Sequence, residues 1–294
     1  MLTSVAATPL IVSTGFGPVE VVRSLGNGPV VLFFPGGHCS AATPIGADLY
    51  AELGFDVIVF SRPGYGRTDV GQLSAAEFVP AVRECCKSLG ITRAAAVIGV
   101  SFGGLQALQV ATAIDLASHL VLHSCAPSTR PFPDTRRERL VTPLIFGPTV
   151  GAATWAAVRA LVASERGLRT MMGTLSQLPV DTWWPTWTAA DRAAAVRTFR
   201  AMDSGMGFLN DVRQAEPDRA RYRLLVQRSV AIPTLITASR HDGGVAFAHA
   251  EDLASTIPGA QLVETDAPSH FFWLGPPRRR VLQAVGGFLS ERST

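Results

Sequence analysis

The chain has 294 residues, 47% of them hydrophobic and 17% charged, enough to bury one large core; this excludes a disordered chain and fits a single α/β domain with an insertion. The net charge is only +3, every basic residue except Lys87 is arginine, and the Arg278-Arg279-Arg280 run reads as the solvated face of a terminal helix rather than a nucleic-acid signal. No apolar run approaches the ~18 residues of a bilayer span, and the amino terminus lacks a basic region followed by an apolar stretch and a small-residue cleavage site. A cytoplasmic protein with no membrane or nucleic-acid partner is therefore expected.

Residues 8 to 24 fall into short β-prone pieces around Gly15-Phe16-Gly17, which predicts an antiparallel hairpin at a sheet edge. Val30 to Phe34 reads as a central strand ending in Pro35-Gly36-Gly37-His38. A helix to Leu53, a stop at Gly54 and a strand from Val57 to Phe60 follow. The next loop, Ser61-Arg62-Pro63-Gly64-Tyr65-Gly66-Arg67-Thr68, is too rich in Pro and Gly to be regular. Ser74 and Glu77 make a capping box for a helix whose buried face includes Phe78, Val82, Cys85, Cys86 and Leu89. Adjacent cysteines seldom bridge, so reduced thiols are expected, and the spacing of Cys39, Cys85, Cys86 and Cys125 resembles no zinc site.

The run from Ala94 to Val100 has the composition of a buried parallel strand, and Leu105, Leu108, Ala111 and Ala113 give the following segment a helical apolar face. Between them lies Gly99-Val100-Ser101-Phe102-Gly103-Gly104. The chain must reverse there within about three residues, so Ser101 is predicted to sit on a strained turn between glycines that admit the crossing strand and helix. This is the signature of a nucleophile elbow, with a hydroxyl at the carboxyl edge of the sheet and at the amino end of a helix. No Lys follows as in a phosphate loop, and no Gly-x-Gly-x-x-Gly occurs. No metal and no cofactor is expected.

His119 to Ser124 reads as a further strand, after which the alternation gives way to helical pattern. Residues 130–228 are read as a helical cap inserted into a core formed by residues 1–129 and 229–294, with Ser164 and Thr188 as helix N-caps inside the cap. Ile232 to Ala238, Gly244 to Thr256, Gln261 to Glu264 and Arg278 to Ser290 then read as strand, helix, strand and helix.

A serine hydroxyl needs a base to act as a nucleophile at neutral pH, and the base needs an orienting acid. Asp242 follows the strand ending at Ala238, and His270 follows the last strand 28 residues later, a separation that suits one helix plus one strand. Asp266 is an alternative acid, though it lies on the same loop as His270. The oxyanion donors are expected to be the backbone N–H groups of Phe102 and Gly37. His38 is a candidate for the pocket entrance. Trp183, Trp184 and Trp187, in one Pro-interrupted stretch, are candidates for the pocket roof, with anchoring of the cap as the competing reading.

These residues in this order resemble a capped member of the α/β-hydrolase superfamily, most specifically through Arg62-Pro63-Gly64-Tyr65-Gly66 and Gly99-Val100-Ser101-Phe102-Gly103-Gly104. The resemblance covers residues 8 to 127 and 229 to 292. It implies an α/β fold with eight mostly parallel strands, a triad of Ser101, Asp242 and His270, and backbone oxyanion donors at Gly37 and Phe102. Pro35 stands where many members have His, and Ser269 where Gly often precedes the catalytic histidine. The activity expected is hydrolysis of a small carboxylic ester, lactone or thioester through an acyl-enzyme, with a small-molecule substrate as the only partner. Carbon–carbon bond hydrolysis, amide or peptide cleavage, perhydrolysis, and ligand binding without catalysis are the alternatives. A serine at position 101 disfavours the epoxide-hydrolase and haloalkane-dehalogenase chemistries, which need a carboxylate nucleophile.

Overall fold

Strand β1 (Leu10–Thr14) turns through Gly15 and Phe16 into β2 (Gly17–Arg23), and the two pair antiparallel with Leu10 opposite Val21. This is the expected edge hairpin; its residue 8 lies outside the described residues, which in this computed structural model are 9–24, 26–147 and 150–290. The core then alternates: β3 (Val30–Phe34), α1 (Ala47–Glu52), β4 (Asp56–Phe60), α2 (Ala75–Ser88), β5 (Ala96–Val100), α3 (Gly103–Ala113) and β6 (Leu120–His123).

After β6 come seven helices: α4 (Arg136–Phe146), α5 (Gly151–Leu161), α6 (Glu165–Thr174), α7 (Val180–Trp183), α8 (Ala189–Ala201), α9 (Gly207–Gln214) and α10 (Ala220–Arg228). Among the described residues this stretch contributes no strand to the sheet. Ser164 caps α6 by accepting from the Gly167 N–H, and Thr188 and Asp191 form a reciprocal capping box on α8. The alternation resumes with β7 (Thr234–Ala238), α11 (Phe247–Thr256), β8 (Gln261–Glu264) and α12 (Arg278–Ser290).

The strand order is β1-β2-β4-β3-β5-β6-β7-β8, antiparallel at the hairpin and parallel from β4 to β8. Strands β4 to β7 are buried along their whole length, which is why they read as continuous apolar runs. Period-two alternation sends Leu32, Phe34 and Ile58 into the cluster on one face of the sheet, and Val31, Phe33 and Val57 into the cluster on the other.

Three of the boundaries that differ from expectation have a visible cause. Strand β5 begins at Ala96, because Ala94 makes only an isolated bridge to Ala117. Strand β7 begins after Pro233, which has no N–H to give the ladder. Helix α11 begins at Phe247, because the Asp242 carboxylate takes the N–H groups of Gly244 and Val245 into a turn of its own. The four cysteines are free and buried. No single helix among the described residues is long and apolar enough to cross a membrane.

Two glycines bracket the cost of adding a methyl group. A Cβ on Gly103 would lie 2.0 Å from the Phe34 carbonyl oxygen, whereas one on Gly173, in α6, would meet nothing within 4 Å. Gly103→Ala should destabilise the fold by at least about 3 kcal/mol, and Gly173→Ala should stabilise it by about 0.5–1 kcal/mol. Urea midpoints of the two variants check both signs.

Candidate active site

Ser101 is the first residue beyond β5 and has φ of 52°, in the left-handed region that a non-glycine residue rarely occupies. Its N–H donates to the His123 carbonyl, continuing the β5–β6 ladder by one rung, and its carbonyl accepts from the Gly104 N–H as α3 begins. The glycines make this reversal possible. A Cβ on Gly99 would come within 2.9 Å of the Gly104 backbone and Ala107 Cβ, and one on Gly104 within 2.8 Å of Cys125 Sγ. Strand and helix therefore cross at backbone distance. Ser101 is 8% exposed, and its hydroxyl has no hydrogen bond among the described residues.

Asp242 lies in the turn after β7 and is 3% exposed. Its Oδ1 accepts from Gly244 and Val245 N–H at 2.7 and 2.9 Å, and its Oδ2 lies 2.8 Å from His270 Nδ1. Three bonds thus fix the carboxylate. The imidazole is seated on Gly244, where a Cβ would meet His270 Cγ at 2.9 Å. Burial alone would push the His270 pKa down, but the charge of Asp242 and its hydrogen bond outweigh that and hold it above the ordinary value. Nε2 makes no hydrogen bond to the described residues. Asp266 takes no part: its exposed carboxylate pairs with Arg280 at 2.6 Å.

The helical insertion reaches both loops. The Leu175 carbonyl accepts from the N–H groups of Gly243 and His270 at 3.0 and 2.9 Å, and Gln177 N–H donates to the His241 carbonyl. The glycine at 243 admits this strand-like contact, since a Cβ there would sit 2.5 Å from Ser176 N. The sequence analysis did not identify Leu175. Its only local signal is a position just past the end of α6, where carbonyls are left free.

The turn after β3 abuts the serine: a Cβ on Gly36 would lie 3.0 Å from Ser101 Cβ, and one on Gly37 3.0 Å from the Phe102 ring. Neither Gly37 N–H nor Phe102 N–H has a protein partner among the described residues. His38, at φ of 63°, stacks on Phe208 with ring centres 3.9 Å apart and touches Phe146 and Trp155. Its Nδ1 lies 2.9 Å from Ser204 Oγ, which also accepts from Trp155 Nε1. Burial foremost, and then the Arg62 charge, lowers its pKa to about 3, so the ring stays neutral. Phe102 extends the same aromatic group through Phe132 and Phe208. Neither Trp155 nor Phe208 was among the site candidates expected from sequence.

Trp183, Trp184 and Trp187 lie elsewhere, in the apolar cluster with Leu168, Met172, Phe271 and Trp273. Their ring centres are 5.1 to 5.9 Å apart, and each is 5% exposed or less. They join the insertion to the loop after β8 and leave almost no surface for a ligand. His123, at the end of β6, is spoken for by Tyr50 and Thr237. A cavity of about 410 Å³ lies between α2, α3, α9 and α10, but its lining includes none of Ser101, Asp242 and His270.

An eight-stranded sheet of this order, with a serine elbow after β5 and an acid and a histidine after β7 and β8, agrees with a family-wide match. Residues 31–284 fit the pattern described as the alpha/beta hydrolase family. The chain belongs to the alpha/beta hydrolase family. It is 29% identical over 277 residues to the uncharacterized hydrolase YcgS of Bacillus subtilis, a match covering 90% of this chain and 93% of that protein. Among solved structures it resembles an alpha/beta hydrolase fold protein from Nakamurella multipartita, at TM-score 0.70 and 23% identity, covering 96% of this chain and 99% of the other. It also resembles the esterase RhEst1 from Rhodococcus sp. ECU1013, at TM-score 0.68 and 18% identity, covering 97% and 99%.

In this alpha/beta hydrolase the Asp242–His270 pair makes a direct prediction. The His270 imidazole should titrate above the ordinary value of about 6.5, and below it in Asp242→Asn, where burial alone remains. Because the folded-state pKa is the higher one, the pair's contribution to stability is full below about pH 6.5 and is lost as pH rises through the folded-state value. Imidazole proton shifts followed by NMR against pH test the order of the two values.

Proposed function

We propose that this enzyme is a serine hydrolase that cleaves a small carboxylic ester, lactone or thioester through an acyl-enzyme. One observation carries the reading: Asp242 holds His270 by Nδ1 at 2.8 Å and leaves Nε2 free, on the same sheet edge that presents Ser101 on its left-handed turn. His123, at the end of the neighbouring strand, has both ring nitrogens engaged.

In this mechanism Ser101 Oγ attacks the acyl carbon while His270 Nε2 takes the hydroxyl proton, and Asp242 stabilises the imidazolium. The oxygen of the tetrahedral intermediate gains its negative charge where the N–H groups of Gly37 and Phe102 have no other acceptor. Such donors act strongly because no solvent must reorganise around them. His270 then returns the proton to the departing alcohol or thiol. A water molecule, deprotonated by the same Nε2, attacks the acyl-enzyme and releases the acid and Ser101.

The helical insertion serves as the cap, and the residues that would face the acyl group are those around Phe102: His38, Phe146, Trp155 and Phe208. Trp183, Trp184 and Trp187 act at one remove, by anchoring the cap. Apolar rings that surround a nucleophile without a fixed cation favour an uncharged acyl portion. The esterase name carried by one structural neighbour agrees with this reading.

Ser101→Ala should abolish covalent labelling by a fluorophosphonate and turnover of p-nitrophenyl acetate, with an unchanged circular dichroism spectrum, because the strain of the turn is a backbone property. Asp242→Asn should lower kcat by about 10⁴-fold, and Asp266→Asn by little. Labelling that persists at another serine, or a reversal of the two aspartate effects, refutes the assignment.

A further inference from the structure

Arg62 lies in the first turn of the loop after β4 and is 3% exposed. Its Nε donates to the Pro35 carbonyl at 2.8 Å and its Nη2 to the Gly36 carbonyl at 3.0 Å. Both acceptors belong to the turn after β3. The rest of the guanidinium fork meets Asp211 of α9, Nη1 on Oδ1 and Nη2 on Oδ2, the latter at 2.8 Å. Tyr65 donates its hydroxyl to the same Oδ2 at 2.6 Å and accepts from His38 N–H at 3.4 Å. Asp211 and Tyr65 are as buried as Arg62, at 2% and 1% exposure.

The consequence follows from peptide geometry. The Gly36 carbonyl and the Gly37 N–H belong to one planar trans peptide and point in opposite directions. A hydrogen bond that turns the carbonyl towards Arg62 therefore turns the N–H away from it. Glycine at 36 would otherwise leave this peptide free to rotate. The seat is close to the nucleophile, because Gly36 abuts Ser101.

We propose that Arg62 is a positioning residue for the oxyanion hole, aiming the Gly37 N–H through the Gly36 carbonyl, and that Asp211 and Tyr65 complete it from the insertion and the loop. The inference rests on the serine-hydrolase reading above and adds that the donor is correctly aimed only when α9 is docked. Tight backbone contacts keep that joint in register: Gly207 N–H donates to the Gly64 carbonyl at 3.1 Å, and a Cβ on Gly207 would meet the Tyr65 ring at 2.4 Å. Lysine at position 62 keeps the charge but cannot span two carbonyls and a carboxylate at once.

The test compares wild type, Arg62→Lys, Tyr65→Phe and Ser101→Ala with p-nitrophenyl acetate as substrate. Acylation rates are taken per active site, titrated with a fluorophosphonate, so that unfolded protein does not count. A displaced donor should lower kcat by about 10²-fold in Arg62→Lys, the scale of a 1 Å misplacement, and by roughly tenfold in Tyr65→Phe, with KM and the pH of half-maximal kcat/KM unchanged. Affinity for a short-chain trifluoromethyl ketone, which forms the tetrahedral adduct, should fall in parallel, while that for the matching methyl ketone should not. A purely structural role would lower the melting temperature and leave the per-site rate and the preference between the ketones as in wild type, overturning the inference. Should Arg62→Lys fail to fold, Tyr65→Phe alone decides by the same criteria. Failure of the underlying reading looks different, since wild type would then show no turnover or Ser101→Ala would retain it.

Discussion

The backbone at Ser101 is the constraint from which the rest of the site follows. A left-handed serine costs of order 1–2 kcal/mol relative to an ordinary conformation, and it persists only where its surroundings leave no alternative. Here they leave none. The Ser101 N–H is committed to His123 and its carbonyl to Gly104, so both peptide groups are used before the side chain is considered. The price of this arrangement is a set of positions where no side chain fits. A Cβ on Gly103 would lie 2.0 Å from the Phe34 carbonyl oxygen, and one on Gly104 would meet Cys125. Cys125 is thereby explained as a small apolar filler, whose thiol donates to the Gly99 carbonyl and whose burial raises its pKa.

A second consequence concerns charge. Burial and pairing act differently on the ionisable groups around the serine. Burial keeps His38 neutral, the charge of Asp211 helps hold Arg62 protonated, and Asp242 favours the protonated form of His270. His38 and His270 both leave Nε2 without a hydrogen bond to the described residues, but burial pushes the first pKa down while Asp242 holds the second above the ordinary value. This separation of environments, rather than residue type, distinguishes His270 from His38.

Much of this was legible in the sequence. Apolar runs marked the central strands, because parallel strands buried on both faces need no polar positions. The glycines around Ser101 marked the elbow, and the spacing of Asp242 and His270 marked their loops, because each signal is local. What stayed illegible depends on pairs far apart in the chain. Nothing in the α9 sequence singles out Asp211 as the partner of Arg62, and a backbone carbonyl such as that of Leu175 leaves no trace in residue identity. The tryptophans admitted two readings from sequence, a pocket roof or an anchor for the insertion, and three large rings in a short stretch cannot decide between them. They are buried where a thin helical layer adheres to the sheet domain.

The attachments of the insertion are unequal. At one end Leu175 is bonded to both the Asp242 and the His270 loops, so moving it would disturb the two side chains together. At α9 the Arg62–Asp211 pair is buried, and separating such a pair leaves two unpaired charges at a cost of about 3–5 kcal/mol. Among the described residues, helices α4 and α5 carry no comparable tether to the sheet domain. They rest on the site through Phe146 and Trp155, while Leu140, Leu144 and Ile145 face outward and are exposed. Aromatic contacts are lost gradually as rings slide, whereas a fork of charged hydrogen bonds is lost all at once. The part of the insertion over His38 and Phe208 is therefore the part that yields with least effect on Ser101, Asp242 and His270.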